Sequence, residues 1–121
     1  MQAAEYEVRD NMLIIRLKAD LDHHTALAVR ETADTLLARS QAKHILFDFT
    51  GVDFMDSSGI GVIMGRYRQV IFKGGRVGVT GVGENVDRIF AFSGLYKIVE
   101  RYQSAEEAFT RPAKEALAGI R

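Results

Sequence analysis

Apolar and polar positions alternate through residues 12–18. Leu13, Ile15 and Leu17 face one way while Arg16 and Lys18 face the other, a period of two that predicts a half-buried strand. Residues 5–9 read as a second strand. Asp10-Asn11 between the two suits a tight turn, because both residue types tolerate left-handed backbone. The pair is therefore expected as a hairpin at a sheet edge. The period then changes. Ala26, Val29, Ala33, Leu36 and Leu37 recur at helical spacing, which predicts a helix over residues 23–39 with Asp22 or Thr25 as its cap. The run His44-Ile45-Leu46-Phe47-Asp48-Phe49 is short and almost wholly apolar, as in a central strand covered on both faces. After a loop at 50–56, residues 58–72 read as a second helix, with Ile60, Ile63, Met64, Tyr67 and Ile71 on one stripe. Gly74-Gly75 ends it.

A further strand is expected at 76–80 with Val77 and Val79 inward, and a short helix near 85–92, stopped by Ser93-Gly94. Ile98 to Glu100 is expected as a last strand. Ser104-Ala105-Glu106-Glu107 has the capping-box pattern and opens a final helix. A hairpin followed by strands alternating with helices predicts an α/β sandwich: a mostly parallel sheet with an antiparallel N-terminal edge and about four helices. No repeat, linker or low-complexity tract divides the 121 residues. One domain over 1–121 is expected, with its core at about 5–110 and a loose tail at 111–121 around the single proline, Pro112.

Composition narrows the function classes. Sixteen basic and sixteen acidic residues cancel, without the basic excess of a nucleic-acid surface. Cysteine is absent, which excludes disulfides and thiolate metal sites. No apolar run approaches the roughly 20 residues needed to cross a bilayer. Met1 to Glu7 lacks the basic and apolar regions of a signal peptide. A soluble cytoplasmic protein is expected.

The chemically informative stretch is Phe54-Met55-Asp56-Ser57-Ser58-Gly59-Ile60-Gly61, at the passage from a central strand to a helix. Loops at this end of α/β sheets collect binding surfaces. A serine here can simply cap the helix. It can also accept a phosphate, which adds a charge of about −1.5 to −2 where unpaired N–H groups and the helix dipole tolerate it. Asp56 reads as a capping carboxylate or as a residue that orients the loop. Ser58 reads as an N-cap rather than a second target. Gly59 and Gly61 allow close approach by a partner or the sheet, and Gly65 tight helix–sheet packing. The Gly59-x-Gly61-x-x-x-Gly65 run lacks the dinucleotide spacing, and Gly74 to Gly83 contains no Gly-Lys-Ser/Thr, so neither is a nucleotide motif. His23 and His24 point apart by roughly 100° on a helix, so they read as a solvated helix start rather than metal ligands. Arg66 and Arg68 read as solvated helix charges, and Phe90, Phe92 and Leu95 as core or packing residues.

Taken together, Asp22-His23-His24-Thr25, Phe54-Met55-Asp56-Ser57-Ser58-Gly59, Gly61-Val62-Ile63, Gly65-Arg66-Tyr67 and Ser93-Gly94-Leu95 resemble the sporulation-type anti-anti-sigma factors of the STAS domain family, over about residues 5–108. The resemblance implies a binding protein, not an enzyme. In its unphosphorylated form such a protein binds an anti-sigma factor that is also a serine kinase, freeing a sporulation sigma factor of the sigma F type. The kinase then phosphorylates it with ATP, and a serine phosphatase resets it. By motif the phosphorylated residue is Ser57. Asp22, His23, His24, Thr25, Asp56, Ser58, Gly59, Gly61 and Arg66 are the implied partner contacts. ATP belongs to the kinase, so no cofactor of its own is implied, and the free protein is expected to be a monomer. Where the family often has Gly-Glu before Leu-Asp-His-His, this chain has Ala19-Asp20. The rival readings are an antagonist of a different, general-stress anti-sigma kinase, a nucleotide hydrolase, for which no convergent set of groups is seen, and an interaction domain that is never phosphorylated.

Overall fold

The predicted hairpin is present. β1 (Ala4–Arg9) pairs antiparallel with β2 (Met12–Leu17), Arg9 opposite Met12. Asp10 in the turn adopts φ +55°, the left-handed backbone that aspartate accommodates better than most residues. The computed structural model describes residues 2–109; the tail expected at 111–121 lies outside the described residues. Beyond the hairpin come α1 (His23–Arg39), β3 (His44–Asp48), α2 (Ser57–Ile71), β4 (Val77–Thr80), α3 (Glu84–Ser93), a 3₁₀ turn (Leu95–Lys97) and β5 (Glu100–Tyr102). Residues 105–109 are helical. The strands form one sheet in the order β1-β2-β3-β4-β5, parallel from β2 onward. This is the expected mixed sheet with an antiparallel edge.

Alternation along β2 and β3 assigns the two faces. Leu13, Ile15, Leu17, Ile45 and Phe47 join the main core with the buried residues of α1, α2 and α3. Met12, Ile14 and Leu46 point the other way, into a smaller cluster closed by Tyr102 and Ala108. The three long helices therefore share one face, and the C-terminal helical residues cover the other. The Glu107 N–H donates to Ser104 Oγ at 3.2 Å, one half of the expected capping box, and the Gln103 N–H, one residue before the cap, donates to Glu107 Oε1 at 3.1 Å.

Five expectations need correction. The last strand is Glu100–Tyr102, not 98–100. Gly94, with φ +81°, ends α3 and the chain coils on through the 3₁₀ turn, so Ile98 still belongs to that turn. Phe92 is 96% exposed, while Phe90 and Leu95 are buried; two residues along a helix is about 200° of rotation, which places Phe92 opposite Phe90. The buried stripe of α2 is rotated from the predicted one. Gly59, Val62, Ile63, Arg66 and Val70 face inward, and Met64 and Ile71 are exposed. A small residue, Gly59, lets the first turn sit close to the chain beneath it, and that sets the rotation of the rest. Arg66 is consequently only 6% exposed and not a solvated charge. Finally, Gly65 is not a packing contact, since a Cβ there would meet nothing within 4 Å.

The glycines after α2 have separate reasons. Gly74 takes φ +77°. At Gly75 a Cβ would lie 1.6 Å from the Lys43 carbonyl oxygen, so the chain leading into β3 occupies the space of a side chain. Gly75→Ala is expected to destabilise the fold by about 3 kcal/mol or more, because the obstruction is backbone. Gly65→Ala, in open helical surroundings, should stabilise it by about 0.5–1 kcal/mol. Urea unfolding of the two variants checks both signs.

Candidate functional site

Two helices begin side by side because two loops are joined. Leu21, after β2, makes an isolated parallel bridge with Met55, after β3. The Leu21 N–H donates to the Phe54 carbonyl at 3.1 Å, and the Asp56 N–H donates to the Leu21 carbonyl at 3.2 Å. One residue beyond the bridge on each side stands an aspartate in extended conformation, and each caps its helix. Asp22 Oδ1 accepts from the Thr25 N–H at 3.0 Å, and Thr25 Oγ1 accepts from the Asp22 N–H at 2.9 Å, a closed capping box. Asp56 Oδ1 accepts from the Ser58 N–H at 2.8 Å.

Asp56 is thus the N-cap of α2. Ser57 is its first residue and Ser58 lies one residue inside the helix, so the expected cap at Ser58 is corrected. The carboxylate wins because it accepts as an anion at the positive end of the helix dipole. Ser57 is exposed, and its hydroxyl makes no hydrogen bond among the described residues. A serine freed from capping presents a neutral nucleophilic oxygen outward.

Beneath it, Gly59 is buried. A Cβ there would come within 3.1 Å of Leu21 Cδ2 and Met55 Cβ. Its small size is used by the bridge, not by the outer surface. Gly61 meets nothing within 4 Å and lies open in a groove of about 280 Å³ between α1 and α2. His23, Leu27, Arg30, Ser58 and Val62 also line the groove. The expected residues His23, Ser58 and Gly61 therefore meet in one depression beside Ser57. His24 is exposed and does not line it, nor do Asp22 and Thr25, which cap the start of α1. Among the described residues no group of three or more His, Cys, Asp or Glu is placed to hold a metal. No helix among them is long and apolar enough to cross a membrane.

Arg66 lies outside this constellation. Its Nε is 3.1 Å from Asp34 Oδ1 of α1 and donates to Gln69 Oε1 at 3.1 Å. Burial lowers the guanidinium pKa from its ordinary value, and Asp34 opposes the shift. The expectation of a surface contact through Arg66 gives way to a helix-to-helix ion pair.

Sequence reasoning left one site residue unassigned. The Asp20 carboxylate accepts from the backbone N–H groups of Asp53 at 2.9 Å and Phe54 at 3.2 Å, holding the loop that leads to Ser57. The Thr25 hydroxyl donates to the Asp20 carbonyl at 2.6 Å. The only sequence signal was an acidic residue two positions before a cap; its partners lie 33 and 34 residues away.

A five-stranded sheet of this order, with two capped helix starts bridged at its carboxyl edge, is the arrangement of a STAS domain, and the STAS family matches residues 3–108. The chain belongs to that family. It is 42% identical to an anti-sigma F factor antagonist of Paenibacillus polymyxa, over 88% of this chain and 91% of that one. The structure of the anti-sigma factor antagonist SpoIIAA in its unphosphorylated form superposes with a TM-score of 0.82 at 31% identity, over 93% of this chain and 97% of that chain. The Bacillus cell fate determinant SpoIIAA in the phosphorylated form gives a TM-score of 0.72 at 31% identity, over 90% and 98% of the respective chains.

Two outcomes follow. Asp20→Ala should leave the sheet intact but speed hydrogen exchange at the Asp53 and Phe54 amides, read residue by residue by NMR. The Thr25 N–H, and then its hydroxyl, hold the Asp22 carboxyl below its ordinary value of 3.8. A lowered folded pKa contributes stability that is complete above the ordinary value and lost as pH falls through the folded one. Asp22→Asn keeps a capping acceptor without a titrating group, so melting temperature should fall less steeply with acid than in the parent, below about pH 4.

Proposed function

We propose that this chain is an anti-anti-sigma factor switched by phosphorylation of Ser57. Unphosphorylated, it binds an anti-sigma factor that is a serine kinase, and so frees a sporulation sigma factor of the sigma F type. Ser57 enters the kinase's ATP site and receives the γ-phosphoryl group, and the complex dissociates. A serine phosphatase removes the phosphate and restores binding. In this reading the chain acts in the cytoplasm as a monomer and catalyses nothing. ATP is held by the kinase, and the chain needs no cofactor of its own.

The observation that carries the reading is the unbonded, exposed hydroxyl of Ser57 at the first residue of α2, with Asp56 serving as the cap in its place. A phosphate on that oxygen adds negative charge where the helix dipole favours it, so the fold tolerates the product. The partner does not. A hydroxyl enters a dry interface at little cost, whereas a dianion must be desolvated and repels any facing carboxylate. Such a contact costs several kcal/mol, which changes affinity by orders of magnitude. The relation to an anti-sigma F factor antagonist, and to a SpoIIAA solved in both unphosphorylated and phosphorylated forms, supports the same assignment.

A general-stress circuit is the second reading. Anti-sigma-B factor antagonists of Bacillus subtilis and Listeria monocytogenes match at 26% and 27% identity, well below the 42% of the sigma F relative. Pull-down against kinases of both circuits separates them.

Incubation with the cognate kinase and ATP, followed by mass mapping, should add one phosphate at Ser57. Ser57→Ala should bind the kinase and stay bound through ATP turnover. Ser57→Asp should bind at least about tenfold more weakly, roughly 1.4 kcal/mol. Normal ATP-driven release of Ser57→Ala would refute the site.

A further inference from the structure

We propose that Arg66 and Asp34 form a positioning clamp that holds α1 and α2 at a fixed separation, and thereby keeps open the groove beside Ser57. The inference rests on the switch proposed above. Both helices follow parallel strands and run side by side from the Leu21–Met55 bridge. Below the bridge they pack through Ala26, Val29 and Ala33 of α1 and Val62 and Ile63 of α2. On the outer side Gly61 faces open space, and a groove lined by His23, Leu27, Arg30, Ser58 and Val62 runs between them. Two rods joined at one end by backbone bonds, and beneath by apolar contacts without direction, take a fixed angle from a second polar contact. Arg66 supplies it. It lies nine residues beyond Ser57, about 13 Å along the helix axis, and reaches Asp34 at 3.1 Å.

The bonding of the pair argues for a geometric role. Arg66 Nε–H donates to Gln69, not in line to Asp34. Arg66 Nη1 and Asp34 Oδ1 are both buried without a hydrogen-bond partner among the described residues. An ion pair left in this state adds little net stability over apolar side chains of similar size. What it does supply is a defined distance, which the non-directional packing of Val29, Ala33, Val62 and Ile63 does not.

The test is the double variant Arg66→Met/Asp34→Ala, which removes both charges together. Nitroxide labels on cysteines introduced at the exposed positions Glu31 and Arg68 report the helix separation; the chain has no cysteine of its own. The double variant should keep a melting temperature close to the parent's while the label-to-label distribution broadens or shifts. The KM for phosphorylation by the cognate kinase should rise by about tenfold with kcat unchanged, since misplaced groups cost binding geometry. An unchanged distance distribution overturns the clamp, and a changed distribution with unchanged KM overturns its role in recognition. If the double variant does not fold, Asp34→Asn, which removes one charge at constant shape, carries the same two readouts. If the parent chain takes no phosphate at Ser57, the switch itself has failed and the label distances alone decide the clamp.

Discussion

A pair of backbone hydrogen bonds between two loops organises everything that follows in this molecule. Leu21 and Met55 lie past the ends of their strands, yet they still pair. That one extra rung forces the chain after β2 and the chain after β3 to turn into helices at the same place. The caps Asp22 and Asp56 are thereby brought to one edge, and Gly59 has to be small so that Leu21 and Met55 fit beneath the first turn of α2. Asp20 reinforces the rung from the side through the Asp53 and Phe54 amides. Without the rung, the two helix starts would be set only by the packing of their apolar faces, which fixes position less sharply than paired donors and acceptors do.

The division of labour among the acidic residues explains how a reactive surface stays compatible with a rigid scaffold. Asp20, Asp22 and Asp56 each accept backbone N–H groups. Their negative charge is therefore directed at the helix starts and the loop, where it stabilises. Ser57 takes no part in that bonding. In the proposed switch its charge can change without disturbing any hydrogen bond that holds the edge together. The altered field then acts outward, on the partner. A serine that doubled as the cap could not be modified so freely, because its oxygen would already be committed to an amide.

Most of the fold was legible in the chain. The alternation at 12–18, the helical spacing at 23–39 and the apolar run at 44–49 each predicted an element that forms, and the order of elements implied the mixed sheet. What misled was the rotation of α2. Of the stripe predicted by period alone, Ile63 is buried and Ile60 and Tyr67 pack against the core, but Met64 and Ile71 are exposed and the face that packs includes Gly59 and Arg66. Hydrophobicity ranks side chains one at a time. It does not register that a glycine is required under a bridge, or that an arginine can be buried against a carboxylate on another helix. Phe92 misled in the same way, since an aromatic residue beside a buried one is on the opposite side of the helix.

The residues by themselves determined the elements, the motif Asp56-Ser57-Ser58-Gly59 at a helix start and the resemblance to the STAS family. These depend on local backbone preference, on period and on spacing, all of which are written within short stretches of chain. Only the tertiary structure decided that Asp56 is the cap and Ser57 is free, that Asp20 holds a loop 33 and 34 residues away, and that Arg66 lies inside against Asp34. Each of those outcomes is a competition for hydrogen-bond partners or for space. Its winner depends on which segments the sheet brings together, and sequence distance carries no record of that.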